Sequence, residues 1–531
     1  MYNITKRDNE LLTAKQASDW ASNFLKKNIT PSNISYLVRY GRIKNKSSNG
    51  GIQVDKVDLS HYYEQYYRRE NIWKKKLGDD LNWRLSFAEY KESDTTKHVH
   101  RLHPYKGKFI PQLVEYFLND KTDVFKKEIF FYKGDIVLDP FCGSGTTLVE
   151  AAEMGINAVG VDISAFNAII SNSKLAEVSL VDLNNAIENI TLCLKKFNTK
   201  THLINFENEL LDRIYQFNSR YFLTAEAIEN IHSKGLGDAY GEEKAKEFLP
   251  QFLSLAKKYN IPIFKPSGKN FLTQWYHPHI LSELDIIKKE IDKLTDKKIA
   301  EVLSIILCRT ARTVRATTHS DLATLIKPVA HTYYCAKHGK ICKPLFSAQK
   351  WWNSYGKDTM KRFGIFTKLR QPSQQYCLVG DSTKIDIFSE LKKQNTILAD
   401  RLKSKKISGI FSSPPYVGLI DYHEQHAYAY DLLDLPRHDE SEIGPAFMGQ
   451  GREAKESYVH AISMVMKNVK KYMVKNYNVF LVANDKFHLY PTIAEKSGMK
   501  IVNQYKRPVL NRTEKDRGAY AEFIFHLKEK A

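Results

Sequence analysis

Between residues 98 and 175, segments typical of buried strands alternate with segments typical of helices, and this alternation constrains the fold of the chain most strongly. GDIVLDPFCGSGTTLVEAAEMG predicts a strand, a glycine-containing loop and a helix, and INAVGVDIS predicts the next strand. The alternation stops near residue 180 and resumes at residue 375 with QYCLVGDSTKI and ISGIFSSPPY. Strands that alternate with helices form parallel sheets, so we predict an α/β protein with a doubly wound sheet.

The interruption divides the α/β domain into two halves, residues 98–175 and residues 375–531, on either side of an inserted lobe. Residues 180–372 carry long amphipathic helical patterns and aromatic loops instead of the strand–helix alternation. Because long structureless loops are uncommon inside a compact domain, the lobe is expected to be a helical insertion.

Residues 1–75 predict a small separate module of short helices. LTAKQASDWASNFLKK and ITPSNISYLVRYGRI both have helical spacing, with Thr13 and Thr30 placed to cap them and Gly41 suited to the end of the second helix. KSSNGGIQVDKVDL follows as a basic, turn-rich wing. Helix, turn, helix and wing is the arrangement of a helix-turn-helix DNA reader, and a helical cap on the main domain is the alternative.

The composition limits the partners and the environment of the chain. Lys and Arg exceed Asp and Glu by 20 charges, which favours a nucleic-acid partner, although a lysine-rich soluble surface would give the same excess. No apolar run approaches the roughly 18 residues of a membrane span, and Met1–Lys15 lacks the apolar core of a signal peptide. Six cysteines do not suggest a disulfide framework, so a reducing cytoplasm is expected.

The loop in VLDPFCGSGTTLVEA is predicted to hold a cofactor. Asp139 stands at the carboxyl end of a strand, and Gly143 and Gly145 permit a tight turn before a helix that begins near Thr146. The loop lacks the lysine of a phosphate-binding P-loop and the third glycine of a dinucleotide-binding loop. The acidic residue would also repel a pyrophosphate, so it suits a cationic ligand better.

Two further aspartates follow the next predicted strands. In VGVDIS, Asp162 stands at the end of the second strand, where a carboxylate can accept the hydroxyl groups of a ribose. In VGDS, Asp381 stands at the end of the third strand, where a carboxylate can accept an adenine amino group. Each aspartate taken singly is as well explained by a helix cap or a turn. Three aspartates at successive strand ends predict a cationic ligand with a ribose and an adenine, which describes S-adenosylmethionine.

The strand in ISGIFSSPPY ends in two prolines, which stop strand pairing between a serine and a tyrosine. DPFCGSGTT and SPPY together resemble the amino-methylating DNA methyltransferases, which modify the exocyclic nitrogen of cytosine or adenine. HPYKGKF resembles the flanking cofactor motif of that family, and RTEKDRGAYAEFIF resembles its late motif. The resemblance covers residues 98–172 and 375–527 and implies the Rossmann-like sheet of S-adenosylmethionine-dependent methyltransferases.

The resemblance also implies which residues form the site. The cofactor would contact the flanking motif, the glycine loop and the strand ends, at Phe109, Asp139, Pro140, Phe141, Gly143, Gly145, Thr146, Asp162 and Asp381. The catalytic segment would be Ser413, Pro414, Pro415 and Tyr416.

The two prolines are expected to hold hydrogen-bond acceptors rigidly beside the target amine. An exocyclic amino nitrogen is a poor nucleophile because its lone pair is delocalised into the ring, and acceptors for its N–H groups draw it towards tetrahedral geometry. By resemblance, the Ser413 hydroxyl and the Pro414 carbonyl are those acceptors, and Tyr416 stacks on a base flipped out of double-stranded DNA. A proline stop beside an ordinary buried tyrosine is the structural alternative.

Cytosine N4 is the predicted target, because SPPY accompanies cytosine more often in the family, and adenine N6 is the alternative. Methylation of cytosine C5 is disfavoured, since that family carries its nucleophilic cysteine after a proline and the chain has no Pro-Cys pair. Cys142 is expected to be a packing residue. The resemblance implies a restriction–modification system with a cognate endonuclease as functional partner. Methylation of RNA or protein, or regulation by DNA binding without catalysis, would also fit these motifs.

The inserted lobe is expected to contact DNA, because NFLTQWYHPH and AQKWWNSYGKDTMKRF mix basic with aromatic residues, and a lysine-rich helical scaffold is the alternative. Cys335, His338 and Cys342 have a spacing compatible with zinc, but no fourth ligand is evident nearby, and Cys308 or His331 could supply one only across the fold. A reduced turn without metal is therefore favoured, and the methyl transfer itself requires no metal.

DYHEQHAYAYDLL resembles a helix that borders the target-base pocket. His423 and His426 are spaced like ligands on a helix, but no second histidine pair accompanies them. We interpret both as DNA-side or core residues.

Overall fold

The computed structural model describes residues 10–26, 29–39, 43–47, 51–67, 69–123, 125–222, 237–268, 270–319, 325–344, 347–511 and 518–530. The chain forms two compact units, the first comprising residues 1–86, 508–510 and 516–521, and the second comprising residues 87–507, 511–515 and 522–531. Among the described residues, no helix combines the length and the apolar character that crossing a membrane requires.

Within its described residues, the first unit contains two short strands and four α-helices. Strand β1 (Leu11–Thr13) pairs antiparallel with β2 (Gln53–Asp55), and the helices are α1 (Ala14–Leu25), α2 (Pro31–Arg39), α3 (Lys56–Tyr67) and α4 (Arg69–Leu77). The core of this unit contains the fully buried side chains of Ala17, Ala21, Ile34, Val54 and Leu59.

The predicted cap of the first helix is confirmed. Thr13 Oγ1 accepts the main-chain N–H of Gln16 at 3.3 Å, and the Gln16 side chain accepts the N–H of Thr13 at 3.0 Å. Thr30 Oγ1 likewise accepts the N–H of Asn33 at 3.3 Å, at the start of α2. Gly41 and residues 48–50 of the predicted wing lie outside the described residues, and the DNA-reading role of this module stays a prediction.

The other strands are β3 (Ile136–Asp139), β4 (Asn157–Asp162), β5 (Tyr333–Cys335), β6 (Lys340–Cys342), β7 (Gln375–Val379), β8 (Ile407–Ser412), β9 (Met473–Ala483), β10 (Met499–Pro508) and β11 (Ala521–Glu529). Strands β5 and β6 form a separate hairpin, and the others form one seven-stranded sheet in the order β10–β11–β9–β8–β3–β4–β7. Strands β7, β4, β3, β8 and β9 are parallel neighbours, and β11 runs antiparallel to β9. The predicted α/β fold is therefore confirmed.

The register of the sheet brings distant parts of the chain together. Asp162 at the end of β4 lies opposite Val379 of β7, although the inserted lobe separates these strands in the chain. Leu138 of β3 lies opposite Ile410 of β8. Every residue of β3 and β4 is buried, as expected for central parallel strands covered on both faces. The carboxyl ends of β3, β4, β7 and β8 thus meet at one edge of the sheet.

The described helices of the second unit are, in chain order, α5 (Glu92–Thr95), α6 (Pro111–Leu118), α7 (Thr146–Glu153), α8 (Ala165–Leu175), α9 (Leu180–Lys200), α10 (Leu203–Tyr221), α11 (Gly237–Lys258), α12 (Phe271–Trp275), α13 (Pro278–Asp292), α14 (Lys297–Thr313), α15 (Gln349–Leu369), α16 (Ile387–Gln394), α17 (Thr396–Lys405), α18 (Tyr422–Gln425), α19 (Ala427–Leu433), α20 (Arg452–Lys470) and α21 (Tyr490–Lys496). Helices α9 to α15 and the β5–β6 hairpin lie between β4 and β7 in the chain. They include a core of their own around Phe206, Phe217, Phe248, Phe252 and Ile341.

A buried ion-pair network fastens α7 to the segment that precedes α6. Lys97 Nζ lies 3.1 Å from Glu150 Oε2 and 2.9 Å from Glu153 Oε2, and His100 Nε2 lies 2.7 Å from Glu150 Oε1. Burial raises the pKa of Glu150 well above its usual value, and the Lys97 ammonium acts against this shift. Because α7 begins where the glycine loop ends, this network also positions that loop.

Candidate active site

A cavity open to solvent lies at the carboxyl edge of the sheet, with about 850 Å³ of space when its open mouth is included. The predicted cofactor residues that line it are Phe109, Asp139, Pro140, Phe141, Gly143, Thr146, Asp162 and Asp381. Ser413 and Pro415 of the predicted catalytic segment line the same cavity. Gly145, Pro414 and Tyr416 are described by the structure, but they are not among the lining residues.

The glycine loop turns sharply between β3 and α7. Gly143 and Gly145 have φ angles of +51° and +73°, in the left-handed region that favours glycine. A Cβ atom on Gly145 would lie 2.8 Å from Ser171 Oγ and 3.1 Å from Ser171 Cα of α8. Gly145 therefore shapes the loop from behind, while Gly143 faces the cavity.

Asp139 links the glycine loop to the start of the catalytic segment. Its Oδ1 atom accepts the Ser412 hydroxyl at 2.5 Å and the main-chain N–H of Phe141 at 3.2 Å. The residue is 1% exposed, and burial raises the pKa of its carboxyl group to about 6. At neutral pH the group is a buried anion, which a ligand cation in the cavity would stabilise.

Asp162 fastens the glycine loop to the end of β4. Its Oδ2 atom accepts the N–H of Gly143 at 2.7 Å, and its Oδ1 atom accepts the N–H of Ser164 at 2.9 Å and the Asn167 amide at 3.1 Å. Burial raises the pKa of this carboxyl group. A carboxylate has about four lone-pair sites, so Asp162 keeps acceptor capacity for ligand hydroxyl groups.

Asp381 lies at the outer side of the cavity, beyond the end of β7. Its Oδ1 atom accepts both the main-chain N–H of Thr383 at 2.9 Å and the Thr383 hydroxyl at 2.7 Å. Burial acts to raise the pKa of Asp381, but these hydrogen bonds prevail and lower it. The charged carboxylate is therefore available as an acceptor over the whole neutral range.

Two tyrosines that the sequence analysis did not select form an aromatic wall of the cavity. The rings of Tyr105 and Tyr422 are nearly parallel, with centroids 6.2 Å apart, and both line the cavity. A Cβ atom on Gly143 would lie 3.0 Å from Tyr105 Oη, so the glycine gives this ring its place. Tyr105 lies in HPYKGKF and Tyr422 in DYHEQH, two motifs that the sequence analysis had already identified. Their spacing along the chain, however, does not indicate which of their residues face the cavity.

The side chains of the SPPY segment point to two different sides after the end of β8. Ser413 and Pro415 face the cavity, whereas Tyr416 is half-buried against the core of the sheet. The Tyr416 hydroxyl donates to Glu522 Oε1 at 2.8 Å, and Arg507 Nη1 donates to Glu522 Oε2 at 3.1 Å. Glu522 lies in the predicted late motif, of which residues 512–517 are outside the described part of the chain.

The histidines after SPPY are core residues in this structure. His423 is fully buried and pairs through Nδ1 with the Glu442 carboxylate. His426 packs against Tyr105 and Phe166, and burial lowers the pKa of its imidazole to about 3. The core interpretation made for this pair is thus the one that the structure supports.

Cys142 lines the cavity but is packed tightly beneath it. A Cβ atom on Gly160 would lie 2.5 Å from Cys142 Sγ, so the thiol fills the space that the glycine leaves. Burial raises the pKa of this thiol well above its usual value, the opposite of what a nucleophilic cysteine requires.

A mostly parallel seven-stranded sheet, a glycine loop after β3 and carboxylates at three neighbouring strand ends define an S-adenosylmethionine-dependent methyltransferase domain. The donor set suits that cofactor, because buried and half-buried carboxylates face a cavity walled by aromatic rings and backed by glycine.

The comparisons with known proteins narrow this class. The family model described as DNA methylase matches residues 22–172, and that described as RMKL-like, methyltransferase domain, matches residues 131–245. The type II methyltransferase M.MjaII of Methanocaldococcus jannaschii is 43% identical over 98% of this chain and 97% of its own length. The type II methyltransferase M.MvaI of Kocuria varians is 28% identical over 31% of this chain and 36% of its own. The chain belongs to the family of type II DNA methyltransferases, which use S-adenosylmethionine as methyl donor.

Proposed function

We propose that this enzyme methylates the exocyclic N4 atom of cytosine at a specific site in double-stranded DNA. The observation that carries the proposal is that Ser413 and Pro415 line the same cavity as Asp139, Asp162 and Asp381. A target amine beside Ser413 would thus lie next to a cofactor held by the carboxylates. The choice of cytosine rests on Ser as the first residue of the motif, where adenine enzymes favour Asp or Asn.

The proposed cofactor contacts follow from the charges at the strand ends. When bound, S-adenosylmethionine supplies an activated methyl group on a positively charged sulfur. Asp139 stabilises the positive charge of the ligand, Asp162 accepts the ribose hydroxyl groups, and Asp381 accepts the adenine amino group. Main-chain atoms of Gly143 approach the ligand closely because no Cβ atom intervenes.

The proposed role of SPPY is to hold two acceptors for the target amine. The Ser413 hydroxyl and the Pro414 carbonyl accept the two N–H groups, which localises the lone pair on nitrogen as the new C–N bond forms. The C–S bond to the transferred methyl group breaks as the C–N bond forms, and the nitrogen releases one proton to solvent, so the positive charge lost at sulfur leaves as H⁺. The prolines keep both acceptors in place before the base enters, which saves reorganisation during the reaction.

Tyr416 is proposed to stack on a cytosine that has been flipped out of the duplex. Flipping is required because the exocyclic nitrogen of a stacked, paired base cannot reach a cavity at the edge of a sheet. The Tyr416 ring packs against the core of the sheet and does not itself line the cavity, and the hydrogen bond from its hydroxyl to Glu522, 2.8 Å long, fixes the orientation of the ring next to Pro415 in the chain.

Two regions outside the cavity are proposed to bind the DNA. The inserted lobe contributes basic and aromatic side chains, and α1 and α2 contribute a helix-turn-helix-like reader. The excess of 20 positive charges over the whole chain supports a phosphate-rich partner.

The proposal is tested by incubating plasmid DNA with the protein and S-adenosylmethionine and then analysing the nucleosides of that DNA by mass spectrometry. We expect N4-methyldeoxycytidine with the wild type and with the control Ser404→Ala, whose exposed side chain lies on α17. Ser413→Ala is expected to lose product by about 100-fold or more while it still binds the cofactor. N6-methyldeoxyadenosine would overturn the choice of base and leave the mechanism in place.

A complete absence of modified DNA would overturn the choice of substrate. RNA would then be tested first, because a tRNA (guanine(10)-N2)-dimethyltransferase of Methanocaldococcus jannaschii is 46% identical over 9% of this chain. DNA binding without any transfer, to DNA or to RNA, would favour the non-catalytic regulator.

The biological role proposed is protection of host DNA from a cognate restriction endonuclease. DNA methylated by this enzyme in a cell should resist cleavage by an endonuclease of the same specificity. Unmethylated DNA carrying the same sites should be cut, and cleavage of both preparations would contradict the proposed role.

A further inference from the structure

Four nitrogen and sulfur ligands of the inserted lobe converge at the β5–β6 hairpin. They are His319, Cys335, His338 and Cys342, and one ligand atom from each lies within 4.8 Å of all the others. Cys335 is at the end of β5, His338 is in the turn, and Cys342 is at the end of β6. His319 comes from the segment that follows α14.

The distances within this cluster match those of a tetrahedral metal site. His338 Nδ1 lies 3.6 Å from Cys335 Sγ and 3.5 Å from Cys342 Sγ, and His319 Nδ1 lies 3.8 Å from Cys335 Sγ. Zn–S bonds of about 2.3 Å and Zn–N bonds of about 2.0 Å at tetrahedral angles place sulfur and nitrogen about 3.6 Å apart. These three nitrogen–sulfur distances are thus close to the separation expected for ligands of one tetrahedral zinc ion.

We propose that His319, Cys335, His338 and Cys342 bind a structural zinc ion. Two thiolates and two imidazoles form a common zinc ligand set, and four protein ligands leave no open coordination position for a substrate. The site therefore stabilises the lobe, and the methyl transfer proceeds without it. The inference is independent of the proposed target base, because none of these residues lines the methyltransferase cavity.

The structure supplies a fourth ligand that spacing along the chain did not indicate. Cys308, one residue considered for that place, is buried within α14. His331, the other, has its Nδ1 atom 2.8 Å from the carbonyl oxygen of Thr332. His319 precedes Cys335 by a segment that includes residues outside the described part of the chain, so only the fold brings it to the hairpin.

The hairpin is attached on its opposite face to the helices of the lobe. The main chain of Ile341 is joined to the Asn218 side chain of α10 by two hydrogen bonds of 3.0 and 2.9 Å, and Tyr334 stacks on Phe222. Side chains alternate along a strand, so the cysteines face away from Tyr334 and Ile341. Zinc bound on the face that carries the two cysteines would join the hairpin to the segment after α14.

The segment after α14 leads to the surroundings of the active site. The Ala316 N–H donates to the carbonyl of Trp275 at 2.7 Å, and the Arg315 guanidinium lies 5.7 Å from the ring centre of Tyr428 in α19. A zinc ion at His319 would therefore hold the end of this segment in place. In this structure, Tyr333 Oη lies 2.8 Å from His319 Nδ1. When zinc occupies Nδ1, the Tyr333 hydroxyl would still accept the main-chain N–H of His319, at 3.1 Å.

Metal analysis of the full-length protein by inductively coupled plasma mass spectrometry tests the proposal. We expect about one zinc ion per chain after purification without chelators. Cys335→Ser and His319→Gln should each lose most of the bound zinc. Cys193→Ser is the matched control, because Cys193 lies on α9 outside the cluster, and it should retain zinc like the wild type.

A cobalt titration of the chelator-treated wild type removes any dependence on whether the variants fold. Tetrahedral Co²⁺ bound by two thiolates should give intense visible absorption, which stoichiometric Zn²⁺ should abolish. Three outcomes would each overturn the proposal. The cobalt absorption could be absent, or both cluster variants could retain zinc. The intact mass could also be lower by two hydrogen atoms, which would indicate a Cys335–Cys342 disulfide. None of these readouts depends on methyltransferase activity.

Discussion

At the scale of single residues, Asp139 predicts how cofactor binding depends on pH. Its pKa of about 6 lies above the usual value because the carboxyl group is buried. Protonation below that pH removes the negative charge that a cationic ligand needs, so affinity should fall as the pH drops through about 6. Because a bound cation favours the ionised form, the pKa in the complex should lie lower than in the free protein.

Isothermal titration calorimetry with S-adenosylmethionine between pH 5 and pH 8 measures this dependence. Asp139→Asn is the control, since its amide does not titrate and its weaker binding should change little over the same range. An affinity of the wild type that stays constant down to pH 5 would contradict the assignment of Asp139.

Tyr416 offers a second test, in which the hydroxyl and the ring are separated. Tyr416→Phe removes only the hydrogen bond to Glu522, whose other oxygen remains paired with Arg507, and should cost about 1 kcal/mol of stability. Tyr416→Ala also removes the ring, and should weaken transfer by about 1–3 kcal/mol of base stacking. Thermal unfolding measures the loss of stability, and the ratio of kcat/KM on DNA between wild type and each variant measures the effect on transfer. Equal effects of the two variants would show that the ring does not stack on the base.

Individual residues of the site differ in how far sequence could predict them. Asp139, Asp162 and Asp381 were selected because strand ends are visible as breaks between apolar runs, and all three line the cavity. Tyr105 and Tyr422 were not selected, since their meeting depends on the packing of two loops far apart in the chain. His319 was missed for the same reason.

At the scale of elements, the turn from β3 into α7 depends on glycine. Gly145→Ala should destabilise the protein by about 1–2 kcal/mol through its left-handed backbone alone, and the contact of the new Cβ atom with Ser171 adds to that cost. The loop would have to shift away from α8, so cofactor affinity should fall as well.

Thermal unfolding with and without S-adenosylmethionine measures both effects. Gly451→Ala is the control, because a Cβ atom there meets no neighbouring atom within 4 Å and its φ of −66° suits any residue. If Gly145→Ala unfolds and binds like Gly451→Ala, the loop is more adaptable than its backbone conformation indicates.

The order of elements could be predicted only in part. The alternation of strands and helices predicted the α/β sheet, because period and length distinguish a buried strand from an amphipathic helix. It did not predict that β11 lies between β9 and β10 and runs antiparallel to β9. The spacing of apolar residues along the chain indicates where strands occur but not the order in which they pair. The β5–β6 hairpin was also missed, because its three-residue strands are too short to show alternation.

At the scale of the whole molecule, the excess of 20 positive charges predicts a steep salt dependence of DNA binding. A protein with 6–10 phosphate contacts loses about 10³-fold or more in affinity between 50 and 200 mM salt, because bound phosphates release their counterions. Fluorescence anisotropy with a labelled duplex measures this slope, and the thermal midpoint at each salt concentration controls for unfolding. A loss below about 10-fold would show that the charges mostly serve solubility.

The pairing of β4 with β7 also has a consequence for how the protein is made. At roughly 5–20 residues per second, a ribosome takes on the order of 10–40 s to proceed from Asp162 to Asp381. During that time one edge of β4 has no neighbour, and unpaired strand edges invite association between nascent chains. The inserted lobe, which emerges in this interval, must fold without capturing that edge. The nascent polypeptide completes its three strand-end carboxylates only after the lobe has been synthesised.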